Sequence, residues 1–295
     1  MARRTAPVFP VMVIAIPLVI GVAAISTNHH TELSLKQTRA AMDVPTDVEG
    51  SLLDGTAKSF VIVGSATSYA WPHILQDMLD DHAGARVYHV LNASAGQPSV
   101  QAWIADPFSK EYDSTFGAMC RDYFGDESRL RTNAPAPTIA LCQQSLAEIV
   151  NPKGPVRSMD DKEGIEIGAD ALQRLAARLH DRGVERVYIA THIFNEGAEP
   201  FTGNERLALA ELLRRDDDVV FEGPDVWSLT LPEFPGCYAS DRLHPNQRGM
   251  KILAEAWYRT IAGSQARQAV IDRMYEKMYD VEELVREHLR TRVPG

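Results

Sequence analysis

From residue 59 onward, short unbroken apolar runs alternate with longer stretches in which apolar residues return every three or four positions. The run "SFVIVG" (59–64) predicts a strand, and "WPHILQDMLDDHAG" (71–84) a helix that stops at Gly84. Further strands are predicted at "RVYHVLNAS" (86–94), "PTIALCQ" (137–143), "VERVYIATHI" (184–193) and "VVFEG" (219–223). Between and after them, "IEIGADALQRLAARLHDRG" (165–183), "ERLALAELLRR" (205–215) and "NQRGMKILAEAWYRTIAG" (246–263) carry helical spacing. Strand and helix in repeated order predict an α/β domain with a parallel sheet covered on both faces. In such sheets, sites gather at the carboxyl ends of the strands.

Three segments stand outside that alternation. Residues 105–136 form a long polar insertion, on the side where a lid or substrate loop would sit. The tail from 264 to 295 carries Val270, Met274, Met278, Val281 and Leu284 in one helical stripe, which suits packing or self-association. At the other end, Arg3 and Arg4 precede an uncharged apolar run from Ala6 to Ile25. Its length suits one membrane span, and the positive flank predicts a cytoplasmic N-terminus with the rest exported. The small residues of "GVAAIS" (21–26) equally allow a cleaved signal. Residues 1–26 are therefore read as an anchor or signal segment, 27–58 as a polar linker, and 59–263 as the domain. Its expected location is extracytoplasmic, either membrane-anchored or secreted.

Composition narrows the function classes. The chain has 295 residues and a net charge of −10, which argues against a nucleic-acid partner because no excess of positive charge is available to neutralise phosphates. Cys120, Cys142 and Cys237 show no metal-ligand spacing. They allow one disulfide plus a free thiol, or three buried thiols.

The strongest chemical signal is "SDRLHPNQRG" (240–249), where Asp241 and His244 stand three apart just before a helix that Asn246 can cap. A carboxylate so placed can hydrogen-bond one imidazole nitrogen and leave the other as a general base. With Pro245 and a position near the end of an α/β domain, residues 59–263 resemble the SGNH (GDSL-type) hydrolases. That resemblance implies a flavodoxin-like three-layer α/β/α fold and an esterase, lipase or carbohydrate acetylesterase activity. Asp241, His244 and Pro245 match the family's last block, which implies His244 as base and Asp241 as its orienter. "LNASAGQP" (91–98) resembles the second block, one residue short in spacing, and implies Gly96 as an oxyanion-hole donor through its N–H. "ALCQQSL" (140–146) stands at the third, where Gln144 would take the place of the family's Asn.

The first block departs from the pattern. "VGSATSYAW" (63–71) aligns Gly64 with the family's Gly, Ser65 with its Asp, and Ala66 with its nucleophilic Ser. Ala66 admits three explanations: an engineered exchange of a natural Ser, a natural pseudoenzyme that binds without cleaving, or a nucleophile displaced to Ser65 or Ser68. The expected function is hydrolysis of a carboxylic ester, with an acetyl group on a carbohydrate as the expected substrate, and the alternative is a non-catalytic binder of a glycan or protein. Neither metal nor organic cofactor is implied. His192 could line a pocket, although a structural role suits it better. Trp71 and Trp103 could stack on a sugar, with core packing as the simpler role. The sequon "NAS" (92–94) ends a core strand and is discounted.

Overall fold

The computed structural model describes residues 51–96, 99–125, 133–143, 146, 156–198, 201–215 and 218–263. The apolar segment 1–26, most of the linker, Gln144 and the tail 264–295 lie outside the described residues. Among the described residues, no helix is long and apolar enough to cross a membrane.

Five strands are described: β1 (Lys58–Gly64), β2 (Tyr88–Asn92), β3 (Ile139–Gln143), β4 (Arg186–Ile189) and β5 (Val220–Glu222). All neighbouring pairs are parallel, in the order β2-β1-β3-β4-β5. That is the flavodoxin-like order, and its switch point falls between β1 and β3. The helices are α1 (Trp71–Ala83), the short α2 (Val100–Trp103), α3 (Lys110–Ser114) and α4 (Phe116–Met119), then α5 (Lys162–His180), α6 (Phe201–Arg214), α7 (Val226–Thr230) and α8 (Gln247–Ala262).

The strands read as unbroken apolar runs because both faces of the sheet are covered. Successive residues of β1 divide between the layers. Phe60 and Ile62 join Trp71, Leu75, Leu253 and Trp257 from α1 and α8. Val61 and Val63 join Leu172, Leu175, Leu207 and Leu212 from α5 and α6. Three α/β/α layers result. Trp71 and Trp257 are fully buried and stack at 5.8 Å with 12° between planes, locking α1 to α8. Each such ring removes roughly 150–250 Å² from water. Trp103 is equally buried, so neither Trp71 nor Trp103 is open to a sugar.

The domain begins earlier than expected. Leu52 is buried and its N–H donates to the carbonyl of Ile261, while the Lys58 ammonium bonds Asp54 and the carbonyl of Leu52. The segment just before β1 is therefore part of the fold rather than linker. The described part of the polar insertion is likewise not a loose loop. Phe116 and Met119 are buried in the core beside α5, Arg178 donates to the carbonyl of Trp103, and Tyr123 donates its hydroxyl to Asn92 at the end of β2. A few apolar side chains in a polar stretch suffice to dock it. The three cysteines are all free; Cys142 and Cys237 are buried and Cys120 half-buried.

Candidate active site

The turn after β1 is shaped by what cannot be there. A Cβ on Gly64 would fall 2.5 Å from Ser68 Cβ and Oγ and 2.9 Å from Ser94 Oγ, so only glycine lets the chain turn this tightly. Residues Ala66–Ser68 then form one turn of 3₁₀-helix, with Ser65 as its N-cap and α1 following. The segment after β2 is stitched to the same turn. Ala95 N–H donates to the Gly64 carbonyl, Ser94 Oγ to the Ser68 carbonyl, and the Asn92 amide to the Ser68 and Tyr69 carbonyls. Asn92, the would-be sequon residue, therefore has a structural task.

The structure places the two displaced-nucleophile candidates inward. Ser65 is buried, its hydroxyl 2.9 Å from Thr67 Oγ1 and accepting from Thr67 N–H. Ser68 is completely buried behind Gly64. Ala66, between them, is half-buried and carries only a methyl group. Its N–H opens the 3₁₀ turn, where no earlier carbonyl is available as acceptor.

Asp241 and His244 sit on the loop that enters α8, and each bond of that loop has a local cause. Asp241 Oδ1 accepts the N–H groups of Leu243 and His244, both at 3.0 Å, and its Oδ2 accepts Nδ1–H of His244 at 2.7 Å. The His244 bond, then the two backbone bonds, hold the Asp241 carboxyl down at about 2. Nδ1 is thereby fixed as donor, and Nε2 makes no hydrogen bond among the described residues, with the ring well exposed. That is the arrangement of a general base with its orienter.

The loop is clamped from several sides. Arg242 adopts a positive φ of 59°, a strained conformation for a side-chain-bearing residue, and its guanidinium binds Glu196 at 2.7 Å and covers the Phe234 ring. Asn246 caps α8 through Arg248 and Gly249 N–H, and its amide donates to the carbonyls of Gly236 and Tyr238. Gly249 lies so close to the Cys237 carbonyl and Pro245 that any Cβ would collide. Glu196 and Phe194, which accepts the Tyr238 hydroxyl at 2.6 Å, both follow β4. His244 therefore belongs to the same carboxyl-terminal edge of the sheet as the Gly64–Ala66 turn.

The remaining candidates separate clearly. Gly96 is exposed beyond β2, and its N–H has no acceptor among the described residues; the hydroxyl of Tyr69 lies 3.2 Å from where a Cβ on Gly96 would stand. Gln144 lies outside the described residues. Its neighbour Gln143 ends β3 beside Gly64, but it is fully buried and its Oε1 accepts Trp257 Nε1–H at 3.2 Å. His192 is buried, with Nδ1 bonded to the Ile193 carbonyl at 2.9 Å, and burial holds its pKa down at about 4. It stays neutral and structural. Among the described residues no group of three or more His, Cys, Asp and Glu side chains is arranged to hold a metal. Tyr69, visible in the sequence only as one of the hydroxyl and aromatic residues that follow Ala66, is half exposed with its hydroxyl beside Gly96.

No family model matches the chain, and no curated protein does. Among solved structures, the chain is similar to a psychrotrophic esterase, EstA, from Pseudoalteromonas sp., inhibited by monoethylphosphonate in that structure. The identity is 15% and the TM-score 0.45, over 69% of this chain and 96% of that one. It is also similar to a gut microbial diltiazem-metabolizing enzyme at 13% identity and a TM-score of 0.40, over 73% of this chain and 48% of that one. The chemistry of the site is therefore read from its own residues.

Proposed function

We propose that the carboxyl-terminal edge of the sheet is a carboxylic-ester site of the SGNH type, with carbohydrate-borne acetyl groups as its substrate class. The observation that carries this reading is the 2.7 Å bond between Asp241 and His244 Nδ1, which leaves Nε2 open at the same edge as the Gly64–Ala66 turn. In the complete form of such a site a hydroxyl at position 66 attacks the ester carbonyl. His244 Nε2 takes its proton and returns it to the departing alcohol, and Asp241 steadies the imidazolium. The N–H groups of Ala66 and Gly96 receive the developing oxyanion. Position 66 holds a methyl group here, so the chain retains the base and oxyanion donors without the nucleophile. Turnover then falls to the contribution of those parts alone, on the order of 10³–10⁴ over water.

A second reading is favoured by the inward burial of Ser65 and Ser68: a site that holds an acylated glycan or protein partner without cleaving it. The test compares hydrolysis of p-nitrophenyl acetate by the chain, by Ala66→Ser, and by Ala66→Ser with His244→Ala. Activity gained with the serine and lost again with the histidine supports an ester site. Three inert proteins, with binding of acetylated but not deacetylated oligosaccharide by the unaltered chain, would favour the second reading.

A further inference from the structure

We infer that the phenol of Tyr69 is a side-chain hydrogen-bond donor to the substrate carbonyl at this site. The inference rests on the ester-site reading above and adds a residue to it. In a 3₁₀ turn the side chains of residues i and i+3 eclipse. The Tyr69 N–H closes such a turn on the Ala66 carbonyl, which puts the phenol on the same side as the Ala66 methyl. The burial along the turn says the same. Ser65, Thr67 and Ser68 are buried, while Ala66 is half-buried and Tyr69 is 49% exposed. Of these five, only positions 66 and 69 are not buried.

The hydroxyl is also aimed at a particular place. Tyr69 Oη stands 3.2 Å from the position a Cβ on Gly96 would take, so the ring reaches across to the residue whose N–H is the other free donor of the edge. Asn92 ties the main chain at Tyr69 to the end of β2 by donating its amide to the Tyr69 carbonyl at 3.0 Å. The hydroxyl itself makes no hydrogen bond among the described residues, which leaves its proton for a ligand. At the end of β3, Gln143 is fully buried with its Oε1 accepting from Trp257 Nε1–H, and Gln144 lies outside the described residues. The geometry thus brings the Ala66 N–H, the Gly96 N–H and the Tyr69 O–H to one edge, ordered by a single turn.

The hydroxyl is tested apart from the ring in the Ala66→Ser background, with Tyr69→Phe and Tyr69→Ala assayed on p-nitrophenyl acetate for kcat and KM separately. Removing one oxyanion donor lowers kcat by about 10²–10³-fold. The expected result is that loss for Tyr69→Phe, with KM within about threefold and an unchanged melting temperature. A rim residue that only shapes the entrance would show the opposite split, with Tyr69→Phe near normal and Tyr69→Ala raised in KM. That result overturns the inference while leaving the ester site standing. If Ala66→Ser, folded by its melting curve, has no activity above its His244→Ala derivative, the ester site is refuted and the role of Tyr69 falls with it.

Discussion

Two histidines stand at the carboxyl-terminal edge, and a pH experiment separates the structural one from the proposed base. His192 has its pKa held at about 4 by burial, against 6.5 for an ordinary imidazole. Between those values the unfolded chain binds a proton that the folded chain refuses, so stability falls as pH drops from 6.5 toward 4 and is full above that window. Linkage over this interval amounts to about 2 kcal/mol by pH 5, and about 3 kcal/mol in total. The assay is urea unfolding at pH 7.5 and pH 5.0 for the chain and for His192→Gln. Histidines common to both proteins cancel in the difference between the two pH responses. Removal of His192 is expected to shrink the stability lost between those pH values by about 2 kcal/mol. An unchanged pH response would refute the reasoning, because it would mean that the imidazole is protonated or solvated in the folded chain.

Other consequences follow from the same geometry. Gly64→Ala forces a Cβ onto Ser68 and Ser94 and is expected to cost about 1–3 kcal/mol in urea unfolding; a neutral result would mean that the turn relaxes freely. In the Ala66→Ser background, Asp241→Asn removes the acceptor that fixes Nδ1–H. It should lower kcat for p-nitrophenyl acetate by roughly 10²–10⁴-fold with little change in KM, and a small loss would remove Asp241 as orienter. Burial pushes the Cys142 thiol up beyond ordinary titration and the Cys237 thiol up to about 12. Both should resist iodoacetamide at pH 8 in the folded chain and react on unfolding, as peptide mass spectrometry would read out.

The fold was largely legible because its strands are buried on both faces. Runs such as Phe60–Val63 cannot be amphipathic, and the helices between them carry clean three- and four-residue spacing. Strand order was not legible from those patterns, since Val61 and Phe60 are equally apolar whichever neighbour β1 takes. The Asp241–His244 pair was visible because a tight loop brings residues three apart into contact, so spacing and geometry coincide. Ser65 was ambiguous because its hydroxyl looks the same in sequence whether it faces substrate or caps a turn with Thr67. Tyr69 showed in the sequence only as one hydroxyl-bearing aromatic after Ala66, because its reach toward Gly96 depends on how the segment after β2 folds back onto the turn. The buried Phe116 and Met119 were lost in a polar average over the insertion.

The central claim is that position 66 occupies the nucleophile's place opposite His244. Diisopropyl fluorophosphate followed by peptide mass spectrometry tests it without any choice of substrate. The account predicts no adduct on the unaltered chain, an adduct at position 66 in Ala66→Ser, and its loss when His244→Ala is added. An adduct on Ser65 or Ser68 of the unaltered chain, or a folded Ala66→Ser protein that takes up no label, would contradict it.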